Sequence, residues 1–423
     1  MQFIDGGVTA PEGFTANGML CGIKAGRTKN DTALIYSEKP CTAAGVFTQN
    51  RVKAESVKLT KKHLENGKAQ AVIANSGNAN ACTGAQGAEN ALRMAKAAAG
   101  VLGISPENVV VCSTGVIGQQ LPVEVIEKNI QALKDGLSKE GHAEARTAIM
   151  TTDTHYKECA VETEIGGKKV RIGAMCKGSG MIHINLGTML SFMTTDCAIS
   201  SAMLEKALRM SIEGTYNCVS VDGDTSTNDT LTILANGMAG NAEIVSEGKD
   251  FDAFYEALNA INTQMAKKIA GDGEGATRLI ECNVSGACDV PTARRLAKAV
   301  ISSSLVKAAF FGKDANWGRI LCAMGYSGEQ FTPETTTVAF ESAEGAQRTG
   351  FTDFVGEQTG KKTSITVFEN GVPLDFDEDL AKKILSEDEV VINVTLKDGN
   401  ACGTAWGCDL TYDYVKINGD YRT

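Results

Sequence analysis

The sequence predicts an α/β fold, with sheets sandwiched between helices. Three observations predict it. Short apolar runs pass repeatedly through glycine-rich turns into segments of helical periodicity. One segment, Glu158–Ile172, alternates about a Gly166–Lys169 turn and reads as an antiparallel hairpin. The 423 residues are 43% hydrophobic and 22% charged, a globular composition with enough apolar surface to offset chain entropy. No G-x-G-x-x-G follows a strand and no Walker A motif occurs, so a doubly wound nucleotide-binding sheet is not expected.

In chain order, Gln70–Asn75 (QAVIAN) reads as a buried strand, followed by SGNANACTGAQG and an alanine-rich helix over Glu89–Leu102. Val109–Cys112 (VVVC) is a second buried strand, and STGVIG is the turn after it. Helices are expected at Val123–Leu137, Ala202–Glu213 and Phe251–Ile269, the last with Phe254, Leu258, Ile261 and Met265 at helical spacing. One long amphipathic helix is expected over Thr292–Ala308, with Arg294, Arg295, Lys298 and Lys307 on a solvated face. Thr363–Phe368 and Val390–Leu396 are the later strands. No repeat or low-complexity linker divides the chain.

A net charge of -10 argues against a nucleic-acid partner. No apolar run reaches the ~18 residues of a membrane span, so no membrane is expected. Met1–Lys24 lacks the basic start and apolar block of a signal peptide, which points to the cytoplasm. The thirteen cysteines are scattered with no CxxC pair and read as buried reduced thiols, neither a disulfide scaffold nor a zinc ribbon. Asp222, Asp224, Asn228 and Asp229 lack the EF-hand spacing and read as turn and capping residues, so no metal is expected. None of His63, His142, His155 and His183 lies in a G-x-S-x-G elbow or an H-E-x-x-H helix.

The densest unusual segment is Lys177–Asp196, KGSGMIHINLGTMLSFMTTD. A Gly-Thr bond between glycine-rich, apolar stretches has one distinctive chemistry. The threonine hydroxyl attacks the preceding carbonyl, the resulting ester hydrolyses, and a new N-terminal threonine is left. Its α-amine, with an ordinary pKa of about 8, then serves as the base for its own hydroxyl. A Gly-Thr pair alone reads as ordinary strand sequence; the surrounding motifs change that.

Those motifs are GGVTAPEGFTANG (Gly6–Gly18), IANSGNANACTG (Ile73–Gly84), CSTGVIG (Cys112–Gly118), MTTDT (Met150–Thr154) and KGSGMI with GTML about Thr188. SVDGDTSTNDT (Ser220–Thr230), GDGEGATR (Gly271–Arg278), KDANWGR (Lys313–Arg319) and YVKINGDYRT (Tyr414–Thr423) complete the set. In this order, over essentially the whole chain, the sequence resembles the ornithine acetyltransferase (ArgJ) family, the glutamate N-acetyltransferases of arginine biosynthesis. The family carries alanine before its nucleophile. Here the run reads Ile184-Asn185-Leu186-Gly187-Thr188, and the smaller glycine leaves the acyl shift unobstructed.

The resemblance implies an ArgJ/DmpA-like self-processing fold, akin to N-terminal-nucleophile hydrolases but differently connected. It implies cleavage between Gly187 and Thr188, with residues 1–187 as α chain and residues 188–423 as β chain, assembled as an α2β2 heterotetramer. Thr188 would be the nucleophile, and Thr114 and Gly115 the oxyanion hole. Thr151, Thr152, Lys177, Glu274, Asn418 and Thr423, with Thr188, would contact substrate. Spacing does not separate Thr151 from Thr152; Thr152 is favoured. The implied reaction moves acetyl from N2-acetyl-L-ornithine to L-glutamate, without a resident cofactor. Some relatives also take acetyl-CoA as co-substrate, and no motif marks that subset. A self-processing hydrolase with water as acceptor, and an uncleaved binding subunit, are the competing readings.

Overall fold

A computed structural model of the chain describes residues 1–183, 189–349 and 358–419. It is mixed α/β and divides into two compact units. The first comprises Met1–Gly178, Asn185–Glu213 and Thr225–Met265; the second comprises Ser179–Ile184, Gly214–Asp224 and Ala266–Thr423. Among the described residues no helix is long and apolar enough to cross a membrane.

A nine-stranded sheet organises the first unit. Its spatial order is Gln2–Ile4, Lys157–Ile165, Lys168–Lys177, Leu190–Thr195, Thr230–Ala235, Thr32–Phe47, Lys68–Asn78 and Val109–Val116, with Phe14–Met19 also paired to Thr32–Phe47. Lys68–Asn78 and Val109–Val116 run parallel, as do Leu190–Thr195 and Thr230–Ala235. Successive strand residues face opposite sides. Ala71, Ile73, Val109 and Val111 pack with Met94, Ala95, Ala98, Ile126 and Ile130 of the helices Gly84–Leu102 and Val123–Asp135. Val72, Ala74, Val110 and Cys112 pack on the other side with Phe14, Ala145, Ala148 and Ile149. Burial on both faces is why these strands read as unbroken apolar runs. The expected hairpin is Lys157–Ile165 with Lys168–Lys177, turned by Gly166 and Gly167 at φ 55° and 73°.

A six-stranded sheet organises the second unit, in the order Val372–Pro373, Lys362–Glu369, Thr337–Ala343, Glu389–Thr395, Leu279–Ala287 and Ala401–Cys408. The helix Val290–Ser302 buries Ala293, Leu296, Ala297, Val300 and Ile301. A Cβ on Gly403 would stand 2.5 Å from the Arg294 nitrogen, so glycine lets helix and strand touch backbone to backbone. A separate two-stranded ladder joins Ser220–Thr225 to Ile182–His183.

Three expectations change. The single helix over Thr292–Ala308 is two, Val290–Ser302 and Ser304–Gly312. Ser303 is extended between them, and its hydroxyl accepts from the Val306 N–H, an N-cap that competes with continuing the helix. The expected solvated face is also not uniform. Arg295 is exposed and pairs with Glu329, but Lys307 is buried and donates to the Cys408 carbonyl, and burial brings Lys298 down to about 8. Lastly, the VVVC strand runs on to Val116, so Thr114 and Gly115 lie within the strand and not in a turn after it.

Candidate active site

In the first unit, two parallel strand ends carry two of the sequence motifs. IANSGNANACTG closes the Lys68–Asn78 strand and CSTGVIG closes Val109–Val116. Their register becomes irregular at Gly77 and Asn78, where Asn78 faces both Thr114 and Val116. Gly115 has φ +134°, and a Cβ there would stand 2.4 Å from the Gly77 carbonyl carbon. Only glycine fits both restrictions. The asparagines pin the loop that follows: Asn75 donates to the Asn78 carbonyl, Asn78 to those of Gln119 and Gln120, and Asn80 to that of Gly87. Asn228, expected as a turn residue, is buried and donates to the carbonyls of Ala79 and Ser113 at 2.6 and 2.7 Å. It braces the Thr114–Gly115 region from a third strand connection.

MTTDT and Gly178, which follows Lys177, meet in the same unit through Asp153. This buried carboxylate accepts from Lys157 Nζ at 2.7 Å, the Gly178 N–H at 2.8 Å and the Thr151 N–H at 3.1 Å. Burial disfavours its charge, but Lys157 and Lys177 outweigh that and hold it well below the usual carboxylate range. Lys177 is only 8% exposed, yet among the described residues no hydrogen bond or ion pair holds its ammonium. A buried cation left in this state suits an incoming carboxylate. Thr151 and Thr152 directly precede Asp153 and are half-buried in the loop that it anchors. Lys177 faces Leu190 in the antiparallel ladder, and the Thr230 N–H donates to the Met189 carbonyl. Gly187 and Thr188, the expected scissile pair, lie outside the described residues.

In the second unit, Glu274 sits in the GDGEG turn at 6% exposure. Its N–H donates to the Ser179 carbonyl, and Oε2 accepts from Asn418 Nδ2 at 2.7 Å, so two of the expected substrate contacts are in contact with each other. A Cβ on Gly180 would stand 2.3 Å from the Glu274 carboxylate, which explains the second glycine of KGSG. Gly275, at φ +69°, lets the turn pack against the start of the helix Tyr412–Gly419. Asp222 accepts from the N–H groups of Met181 and Ile182 at 2.6 and 2.9 Å and from the Tyr414 hydroxyl. His183 Nδ1 lies 3.0 Å from the Ser220 hydroxyl. Burial first, then Lys298, pushes this histidine down to about 4, so it is neutral at neutral pH. Thr423 lies outside the described residues.

Sequence reasoning did not single out Asp153, and it read Asn228 as a turn or capping residue, not as the buried brace it is. Asp153 stands inside a quoted motif, but the partner that links it to KGSG, Gly178, is 25 positions away. KDANWGR serves as scaffold: Asn316 caps the helix Trp317–Gly325, Trp317 stacks on Phe368 at 4.9 Å, and Arg319 donates to the Leu305 carbonyl. Among the described residues no cluster of His, Cys, Asp or Glu could hold a metal ion.

A model of the ArgJ family matches residues 15–423. The chain belongs to the ArgJ family. It is 51% identical over 424 residues to the arginine biosynthesis bifunctional protein ArgJ of Symbiobacterium thermophilum, covering 100% of both chains. It is 50% identical over 423 residues to the protein of that name from Caldanaerobacter subterraneus, again covering 100% of both. The crystal structure of the arginine biosynthesis bifunctional protein argJ from Bacillus halodurans matches at 42% identity, covering 54% of this chain and 97% of that one, with a TM-score of 0.47. This ArgJ-family chain is therefore an acyltransferase of arginine biosynthesis, acting between ornithine and glutamate intermediates.

Proposed function

We propose that this ArgJ-family enzyme matures by cutting itself between Gly187 and Thr188, and then carries acetyl from N2-acetyl-L-ornithine to L-glutamate on Thr188. The observation that carries the reading is the family match across residues 15–423, which spans every motif named above except the opening residues of the first. In maturation the Thr188 hydroxyl adds to the Gly187 carbonyl and the C–N bond breaks. Water then cleaves the ester, leaving a Gly187 carboxylate and a free Thr188 amine. In turnover that amine takes the hydroxyl proton as oxygen attacks the acetyl carbonyl, and returns it to the departing ornithine amine. Glutamate's amine then attacks the acetyl ester, and N-acetylglutamate leaves.

Thr114 and the Gly115 N–H are assigned to the oxyanion, a donor pair whose members are typically worth ~10²–10³ in rate each. Support comes from the braced strand end and from the glycine-only conformation of Gly115. Lys177 is assigned to the substrate carboxylate because it is a buried cation with no hydrogen-bonded partner among the described residues. Thr152, with Thr151 beside it, lies in the loop anchored to the same carboxylate. Glu274, with Asn418 against it, is assigned to the substrate ammonium, and Thr423 to a further substrate contact.

We assign the α2β2 heterotetramer of residues 1–187 and 188–423, and the cytoplasm, whose reducing conditions suit thirteen free cysteines of which nine are buried. Acetyl-CoA as second acetyl donor is the alternative that the word bifunctional in the relatives' names favours. A glutamate assay with and without it decides the point.

Thr188→Ala tests the whole reading. Mass measurement should find one uncut chain without transfer activity, whereas the unaltered protein gives two fragments, the second beginning Thr-Met-Leu-Ser. An unaltered protein that stays whole and still exchanges acetyl overturns it.

A further inference from the structure

We propose that Asp153 is a positioning residue that sets the substrate-carboxylate subsite by fixing Lys177 and the Thr151–Thr152 loop to one buried point. The inference rests on the assignment of Lys177 to the substrate carboxylate. Asp153 uses both carboxylate oxygens. Oδ1 receives Lys157 Nζ at 2.7 Å and the Gly178 N–H at 2.8 Å; Oδ2 receives the Thr151 N–H at 3.1 Å. Gly178 directly follows Lys177, and Thr151 opens the threonine pair, so one side chain ties both assigned elements together. The side chains of Asp153 and Lys157 are fully buried, which leaves water no way to replace either bond.

The charge arithmetic gives the arrangement its use. Among the described residues, the charges of Lys157 and Lys177 both act on the Asp153 carboxylate. Lys157 is hydrogen-bonded to Asp153 and to the His155 carbonyl, so the direct ion pair of Asp153 is with Lys157. Lys177 contacts Asp153 only through its field and through the backbone of its neighbour. Its backbone is thus held in place while, among the described residues, its ammonium has no direct hydrogen-bond or ion-pair partner. Were Asp153 to pair with Lys177 directly, it would compete with the substrate. Lys157 acts as the decoy that prevents this.

The test uses the full chain with acetylornithine and glutamate. Asp153→Glu keeps the charge beside Lys157 but moves the acceptor oxygens by one methylene. It should raise the KM for acetylornithine about tenfold or more, with kcat changed far less, because a small misplacement of a binding group is costly. Asp153→Asn combined with Lys157→Met removes the buried charge pair together. It should melt near the unaltered protein while keeping the raised KM. If either variant has an unaltered KM, Asp153 serves only to neutralise Lys157 and the inference is overturned; if the double variant does not fold, Asp153→Glu decides alone. Adding Asp153→Glu to Lys177→Ala should raise the KM no further, since both act through one group. A further independent rise also overturns the inference. An unaltered KM in Lys177→Ala alone is a different failure: it removes Lys177 from the site and sinks the parent reading.

Discussion

One methyl group tests the oxyanion assignment. In Gly115→Ala the new Cβ meets the Gly77–Asn78 backbone at 2.4–2.5 Å, at a φ that other residues avoid. The strand end must shift, carrying the Thr114 hydroxyl and the Gly115 N–H with it. We expect a loss of stability of about 1–3 kcal/mol in urea melts. Transfer should fall ~10²–10³-fold with KM little changed, since the lost donors act on the transition state. A KM effect with full kcat would place these residues in ground-state binding. Asn228 acts at the same scale from the other side: its buried amide gives both protons to the Ala79 and Ser113 carbonyls, and a lost buried hydrogen bond is costly.

Among the elements, glycine has opposite meanings in different places. Gly403 lies under the helix Val290–Ser302, so Gly403→Ala pushes a Cβ into the Ala293–Arg294 backbone and should destabilise by about 1–3 kcal/mol. Gly100 lies in the helix Gly84–Leu102 with nothing within 4 Å of its would-be Cβ. Gly100→Ala should stabilise by about 0.5–1 kcal/mol through helix propensity. Chemical denaturation of both variants checks the opposed signs; equal shifts would mean that close packing does not hold the second unit's helix to its sheet.

For the molecule as a whole, pH and cleavage supply the tests. His183 titrates near 6.5 when unfolded and about 4 when folded. Between these values the unfolded chain binds a proton that the folded chain refuses, so its contribution to stability is present above 6.5 and is lost as pH falls toward 4. Melting temperatures from pH 7 to 4 should decline less steeply in His183→Gln; parallel curves would remove His183 as a cause. The sheet order bears on maturation. Leu190–Thr195 and Thr230–Ala235, both after the proposed cut, lie between Lys168–Lys177 and Thr32–Phe47, both before it. The two products would share one hydrogen-bonded sheet, so α and β should remain associated with each other in native mass spectrometry and separate only under denaturant. Products that part in buffer would contradict a cut at Gly187–Thr188 within this sheet.

The sequence by itself determined the alternation of strand and helix, the buried runs QAVIAN and VVVC, the hairpin about a Gly166–Lys169 turn and the family, because apolar periodicity, turn chemistry and ordered motifs are local signals. It placed Glu274 and Asn418 in one site through resemblance alone. Only the tertiary structure decided that these two touch, that Thr114 and Gly115 end a strand, that Ser303 divides a helix and that Lys307 is buried. It alone revealed Asp153 as an anchor and Asn228 as a buried brace. A hydrogen bond between residues 25 or 115 positions apart leaves no periodicity in the chain; it exists only once the sheet has brought the partners together.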